Sequence, residues 1–260
     1  MIQLRNTCPP RRSSVPTVRC SDSRRSSCSE RGGFNRGRRL FGTGEGCIPT
    51  HSTITIVLSK GVTTQAAEKV YRALNEPARI ATKLEAVKSA KLAWLPQETI
   101  VFNRARLCRE TEVEVSSGAE LLALEWLVLG RAAHGEKVVA GHITDSWRVK
   151  KDGRLIWADT FRVTDETFPH IQRKALLSNR RAVATLVYFG PDIDTRLEFL
   201  RQIVFSRDCD CAATSVAGLI IVRFAATVSS SLRLGLRSFL QQFSREFGPG
   251  PFSVPKMWSC

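Results

Sequence analysis

Apolar and polar residues first fall into a regular order near Thr53. Thr53–Leu58 (TITIVL) is β-branched and continuous, which predicts a strand. Ala66–Leu74 places Ala66, Ala67, Val70 and Leu74 at helical spacing, but Thr63 and Thr64 beside it favour a strand, and it is assigned as one. Ala78–Leu84, Ala90–Leu95 and Thr99–Phe102 give further strands, with Pro96 marking an edge, bulge or loop because it cannot donate to a ladder. Glu112–Val115 alternates, Ser116–Ala119 turns, and Leu121–Leu129 is an apolar run. The segment Leu219–Phe224 reads as a buried strand. Two helices are predicted late in the chain. Thr195–Val204 carries Leu197, Leu200, Ile203 and Val204 on one face, and Ser229–Phe247 carries Leu232, Leu236, Leu240, Phe243 and Phe247. Its serines suit the N-cap, and Gly248-Pro249-Gly250-Pro251 ends it.

The sharpest local expectation is a hairpin over His142–Val163. A three-residue loop, Lys151-Asp152-Gly153, with Gly153 in the left-handed position, pairs Val149 with Leu155, Trp147 with Trp157, Asp145 with Asp159 and Ile143 with Phe161. Every large apolar side chain then lies on one face, and so do both aspartates. A two-residue loop would split the aromatics between faces. Two carboxylates opposite each other on an apolar face repel and are costly to desolvate. Arg148 or another base neutralises them, or the face is wet, or they line a hydrated passage for a divalent cation.

Charge and cysteine usage refine this picture. The chain has 260 residues and a net charge of +15, but residues 1–47 alone hold ten arginines and three acids, so the rest is only moderately basic. A nucleic-acid binder would need its charge on a folded face interleaved with aromatics. No apolar run reaches the ~20 residues that span a bilayer, which predicts a chain with no membrane segment. Of the eight cysteines, four lie in the N-terminal stretch and no C-x-x-C pair occurs, which fits reduced thiols in a cytoplasmic protein. Cys209 and Cys211 form a C-x-C with Asp208 and Asp210, the basis for a rival reading as a thiol- or metal-dependent enzyme. The chain lacks a G-x-S-x-G elbow, a G-x-x-x-x-G-K-S/T loop and a dinucleotide fingerprint, so no enzyme class is indicated.

Several strings together resemble one family. TTQAAEKVYR (with Thr63, Thr64, Gln65 and Glu68) is followed about twenty residues on by WLPQET (with Trp94, Pro96, Gln97 and Glu98). LLALEWLVLGRAAHGE, DSWRVKKDGRLIWAD (with Trp147 and Gly153), AVATLVYFG and the terminal WSC follow in order. From about Ile54 to Cys260 the chain resembles the urease accessory protein UreD, also called UreH. The resemblance implies a mainly β fold of wound, stacked, mixed sheets with a few α-helices, the longest near the C-terminus. It implies a non-enzymatic maturation factor with no cofactor of its own. Such proteins bind apo-urease and UreF, which recruits the GTPase UreG, and nickel reaches the urease site through the complex. Any dimer forms only through that complex. An internal water-filled path for the ion is implied, with Asp145 and Asp159, then Glu136 and Glu98, as the residues expected to line it. Carboxylates and water hold nickel loosely, which suits transfer. Glu136, directly after Gly135, is also readable as a loop acid paired with Arg131. The helix Ser229–Phe247 and the C-terminal tail are candidates for partner contact.

The same resemblance bears on residues 1–52, which are rich in Arg, Ser, Cys, Pro and Gly and read as disordered or non-native. The family carries a glycine-rich segment ahead of TTQA that is missing here. Codons for Arg31–Leu40 (RGGFNRGRRL), read one nucleotide later, can spell GLTGGD. The N-terminal stretch is therefore expected to be out of frame, with a UreD-like domain over residues 53–260. A lost glycine-rich loop would leave sheet edges open, so an inactive product of the same family is an alternative.

Overall fold

The computed structural model describes residues 60–131, 135–203, 208–248 and 250–259, together with the backbone of three strands before residue 57. The strands in chain order are β1 (Thr17–Arg19), β2 (Arg39–Leu40), β3 (Thr50–Ile56), β4 (Lys60–Val62), β5 (Glu68–Val70), β6 (Ala78–Ala86), β7 (Lys91–Trp94), β8 (Thr99–Val101), β9 (Arg106–Val115), β10 (Glu120–Leu129), β11 (His142–Lys151), β12 (Arg154–Val163), β13 (Ala182–Phe189), β14 (Cys209–Val216) and β15 (Leu219–Ala226). The helices are α1 (Ile193–Gln202) and α2 (Ser229–Phe247). One sheet runs β1-β3-β6-β9-β11-β12, and the other runs β14-β15-β13-β10-β8-β5-β2, with β7 joining β10 to β4. Between β3 and β11 the chain passes back and forth between the sheets, so that β3, β6, β9 and β11 pair in parallel. Only β12 and the β10-β13-β15-β14 end are antiparallel. This is the mainly β, wound arrangement of mixed sheets expected from the sequence, with the longer helix near the C-terminus. Among the described residues no helix is long and apolar enough to cross a membrane.

Three layers result, because β10 is buried at all ten positions. Its Leu121, Ala123 and Leu127 face the first sheet, while Leu122, Leu124, Trp126 and Val128 face the helices. A strand covered on both faces must be apolar throughout, as the run LLALEWLVL is, apart from Glu125. The α2 stripe of Leu232, Leu236, Phe239, Leu240 and Phe243 packs on β10, β13 and β15, and Phe252 and Trp258 from the tail complete that cluster. α2 has the bounds its periodicity predicts, but its N-cap is the extended Val228 with no side-chain cap bond, and the serines occupy the first turn. α1 stops at Gln202, and Ile203 is extended. The stretch around Glu68 forms strand, though only over Glu68–Val70. Strand β14, built on the Cys209 stretch, was not foreseen.

The hairpin register needs correction. Asp152 (φ 49) and Gly153 (φ 80) form a two-residue turn with both central residues left-handed, not a three-residue loop. Asp152 accepts bonds from Ser117 N and Oγ, and Gly153 N donates to Glu114, so neighbouring strands hold the turn. A bulge at Ile156 restores the phase: Lys150 pairs with Leu155, but Val149 pairs with Trp157. Beyond it, Trp147 pairs with Asp159, Asp145 with Phe161 and Ile143 with Val163. Ile143, Trp147, Val149, Trp157, Phe161 and both aspartates share one face, but Leu155 pairs with the outward Lys150 and is 52% exposed, and the aspartates are diagonal neighbours rather than opposite one another. The reading of residues 1–52 lies outside the described residues, apart from the backbone of β1, β2 and the start of β3 at sheet positions.

Close approach of α2 to β14 depends on Gly235, where an added Cβ would stand 2.6 Å from Cys209 Sγ. Gly235→Ala gains about 1 kcal/mol of helix propensity but overpacks a buried contact at about 1–3 kcal/mol. The expected result in urea denaturation is a net loss of stability for Gly235→Ala, turning to a gain when it is made in a Cys209→Ala background.

Candidate functional site: a polar layer between the sheets

Apolar packing between the two sheets is interrupted midway. One apolar cluster holds Leu84, Val113, Trp147, Ala123, Val187 and Ile221, and the other holds Ile80, Leu107, Ile143 and Leu127, with Phe161 and Val183 against it. Strand after strand crosses from one cluster to the other through an inward polar residue: Thr82 on β6, Arg109 and Thr111 on β9, Asp145 on β11, Asp159 on β12, Glu125 on β10, Thr185 on β13 and Arg223 on β15. The register of parallel and antiparallel pairs aligns these positions into one layer.

Arg109 is its centre and is only 1% exposed. Its Nε donates to Asp145 Oδ1 at 2.9 Å and its NH2 to Oδ2 at 2.6 Å, a bidentate pair. NH1 reaches Glu125 Oε2 at 2.8 Å and Thr99 Oγ1 at 3.0 Å. Thr99 Oγ1 donates to Glu68 Oε2 at 3.1 Å, and Trp94 Nε1 donates to Glu125 Oε1 at 2.8 Å. Burial works against the guanidinium's charge, but Asp145 and Glu125 more than restore it, holding its pKa above the ordinary arginine value. Burial pushes Glu125 up to about 7, against the pull of Arg109 and with Asp145 adding to the rise. Burial also raises Glu68, with Arg109 and Thr99 opposing. The layer reaches the surface at its other end, where Arg223 NH2 donates to Asp159 Oδ2 at 2.7 Å and NH1 to Thr185 Oγ1 at 2.8 Å, with the two side chains 46% and 29% exposed.

The expected pair Asp145 and Asp159 thus shares one layer, each with its own base. Those bases are Arg109 and Arg223 from neighbouring strands, whereas Arg148 is exposed on the opposite face. Glu98 and Glu136 lie elsewhere. Glu98 turns toward the helices and takes Arg233 of α2 at 2.7 Å on each oxygen. Glu136 closes its own loop, receiving Arg131 Nε at 3.0 Å and the backbone N–H groups of Asn103 and Arg131; burial raises its pKa but these bonds lower it below the usual range.

The rest of the family-like motif is a clasp between layers. Pro96 O accepts from Trp126 Nε1 at 3.0 Å, Gln97 N donates to Thr64 Oγ1 at 2.8 Å, and Gln97 Nε2 donates to Met257 O at 3.0 Å. Thr63 Oγ1 donates to Thr64 O, and Gln65 is exposed. Trp147 is buried in the layer's wall, and Gly153 sits in the hairpin turn. Trp258 lies 5.8 Å from the Trp126 ring, so the C-terminal tail is part of the core rather than a free arm. Burial pushes the thiols of Cys209 and Cys211 up to about 11 and about 12, which disfavours the thiolate that a metal site or nucleophile requires. Asp210 on the same strand pairs with Arg180.

Sequence reasoning missed Arg109, Glu125, Thr99 and Arg223. Glu125 stood out as a lone charge inside an apolar run, and Arg109 as an inward position flanked by Leu107 and Thr111 in an alternating strand.

The family model for the UreD urease accessory protein matches residues 59–259. A protein named urease accessory protein UreD from Xanthobacter autotrophicus is 41% identical over 198 residues, covering 76% of this chain and 66% of the relative. A second so named, from Methylobacterium sp., is 39% identical over 202 residues, covering 76% of this chain and 70% of the relative. A third, from Azorhizobium caulinodans, is 35% identical over 213 residues, covering 80% and 76%. The chain thus spans about two thirds of the Xanthobacter protein's length.

Two outcomes follow from the layer's electrostatics. Asp145→Ala strands a buried guanidinium and is expected to cost about 3–5 kcal/mol, whereas Asp159→Ala, at a half-exposed pair, costs at most about 1 kcal/mol; urea midpoints measure both. A carboxyl group whose folded value is raised stabilises the fold below its unfolded value and loses that contribution as pH rises through the folded value. For Glu125 the window runs from 4.5 to about 7. Glu125→Gln should therefore improve in stability relative to the native chain on going from acid to alkaline buffer. Parallel pH profiles of the two proteins would contradict this.

Proposed function

The chain belongs to the UreD family of urease accessory proteins, and from that premise we propose that it is a non-enzymatic scaffold that holds apo-urease together with UreF and UreG while nickel is inserted. The observation that carries the reading is the polar layer: carboxylates at Glu68, Glu125, Asp145 and Asp159 cross a β-sandwich that is otherwise apolar between its sheets. Buried carboxylates destabilise a fold that has no use for them, since well-packed apolar residues of similar volume serve stability as well or better. A route for a hydrated cation supplies that use. Its exposed mouth is Asp159 with Arg223, and its interior is Asp145, Glu125 and Glu68. We place Glu98 and Glu136 off this route, because Glu98 turns away from the layer to Arg233 of α2 and Glu136 closes its own loop on Arg131. Oxygen ligands and water bind nickel loosely enough to release it, as delivery requires. The scaffold role falls to the outer surfaces. α2 buries its stripe and presents Ser230, Leu234 and Gln241, with Leu234 among the most exposed large apolar side chains described.

Asp145→Asn with Asp159→Asn keeps the shapes and removes the charges. Co-expressed with the urease structural and accessory genes, this variant is expected to retain pull-down by UreF while lowering the nickel content of the purified urease. Urease with its full nickel content would remove the route, and loss of pull-down by a variant that remains folded would show that the layer serves assembly instead.

A further inference from the structure

Three loops at one end of the sandwich are stitched into a single platform. They follow β5, β8 and β10, whose strands end together, and the residues concerned are 71–77, 102–105 and 135–141. Arg104 is the seam: Ala73 N donates to Arg104 O at 3.3 Å, and Arg104 N donates to Ala140 O at 2.8 Å. Asn103 Oδ1 accepts from Val139 N at 3.0 Å and Ala140 N at 3.3 Å, and Asn103 N donates to Glu136 Oε1 at 3.2 Å. Phe102 packs edge-on against Tyr71 and has the Arg131 guanidinium 4.6 Å from its ring centre. Backbone held this firmly nevertheless keeps two large apolar side chains in water. Leu74 and Val139, one residue from the bonded Ala73 and Ala140, are 65% and 59% exposed. Arg72, Arg104 and Lys137 are exposed on the same loops, and none has an ion-pair partner among the described residues, whereas Arg131 is taken by Glu136. Arg104 also holds a left-handed backbone (φ 61), a conformation that glycine adopts at less cost, so the fold bears strain where it presents this cation.

We propose that this platform docks a protein partner whose contact face has an apolar centre bordered by carboxylates. The proposal rests on the scaffold reading and gives it a second contact surface, at the end of the sandwich rather than on α2. Leu74 and Val139 supply apolar area for a partner to cover. Arg72, Arg104 and Lys137 match an acidic rim, which steers the encounter and fixes its orientation. A second copy of this chain does not fit, because two-fold pairing brings the same patch from both copies together and sets the three cations against their equivalents. A nucleic-acid backbone satisfies the cations but leaves both aliphatic side chains without a use. The loops are already fixed by their hydrogen bonds, so docking orders little backbone.

The test is the affinity of the full chain for purified apo-urease and for purified UreF, each measured at low and high salt. Leu74→Ser with Val139→Ser is expected to weaken binding to one of the two by about ten-fold, with an unchanged thermal midpoint because both side chains are exposed. Arg72→Glu with Lys137→Glu is expected to weaken binding to the same partner and to remove most of its salt dependence. Leu155→Ser, at an exposed apolar residue of the hairpin, is the control and changes neither affinity. Native affinity for both partners in both double variants overturns the platform and leaves the scaffold reading standing. A native chain that binds neither partner removes the scaffold reading and the platform with it. Salt-sensitive binding of a duplex DNA probe, lost in the charge variant while both protein affinities stay native, assigns the surface to nucleic acid and overturns the proposal.

Discussion

A guanidinium in the middle of a β-sandwich costs several kcal/mol to desolvate unless its partners are fixed in place around it. Arg109 has them because both sheets contribute: Asp145 comes from the adjacent strand of its own sheet, and Glu125 and Thr99 come from the sheet opposite. The pair spacing of the parallel strands β9 and β11 puts Arg109 level with Asp145, and this in turn fixes which residues of β10 can meet them. The inter-sheet register is thus specified by charge as well as by packing. A slip of one residue would turn Arg109 out to the surface and carry Glu110 into the interior.

The same arrangement explains why the WLPQET string is so compact a signature. Trp94 and Thr99, at its ends, face the first sheet and bond to Glu125, Glu68 and Arg109. Pro96, Gln97 and Glu98, between them, turn to the helical layer and bond to Trp126, Met257 and Arg233. One short segment therefore ties three layers together, and the tail that carries Trp258 is held by it. Arg233 also lies 5.6 Å from the centre of the Trp126 ring, adding a cation–π contact to the clasp.

How much of this was readable in advance depended on whether the signal was local. α2 announced itself by periodicity, and β10 by an unbroken apolar run. The shared face of Asp145 and Asp159 followed from alternation on two adjacent strands. Their separation into diagonal positions did not follow, because a bulge at Ile156 and a two-residue turn together mimic the phase of a three-residue loop. The partners of the aspartates were hidden for another reason. Arg109 is thirty-six residues from Asp145, and Arg223 is sixty-four from Asp159, so only the winding of the chain between sheets brings them together. Glu98 and Glu136 shared motifs with the layer's residues without sharing their face, and position within a motif says nothing about which side of a strand a side chain takes.

The claim that the polar layer is an interior passage for a divalent ion is open to direct observation. Crystals of the full chain soaked in nickel sulfate and measured at the nickel absorption edge would show where the ion goes. An anomalous peak between the sheets, along the layer from Asp159 to Asp145, is the expected result. Peaks confined to surface histidines, with Arg109 still paired to both carboxylates, would contradict it.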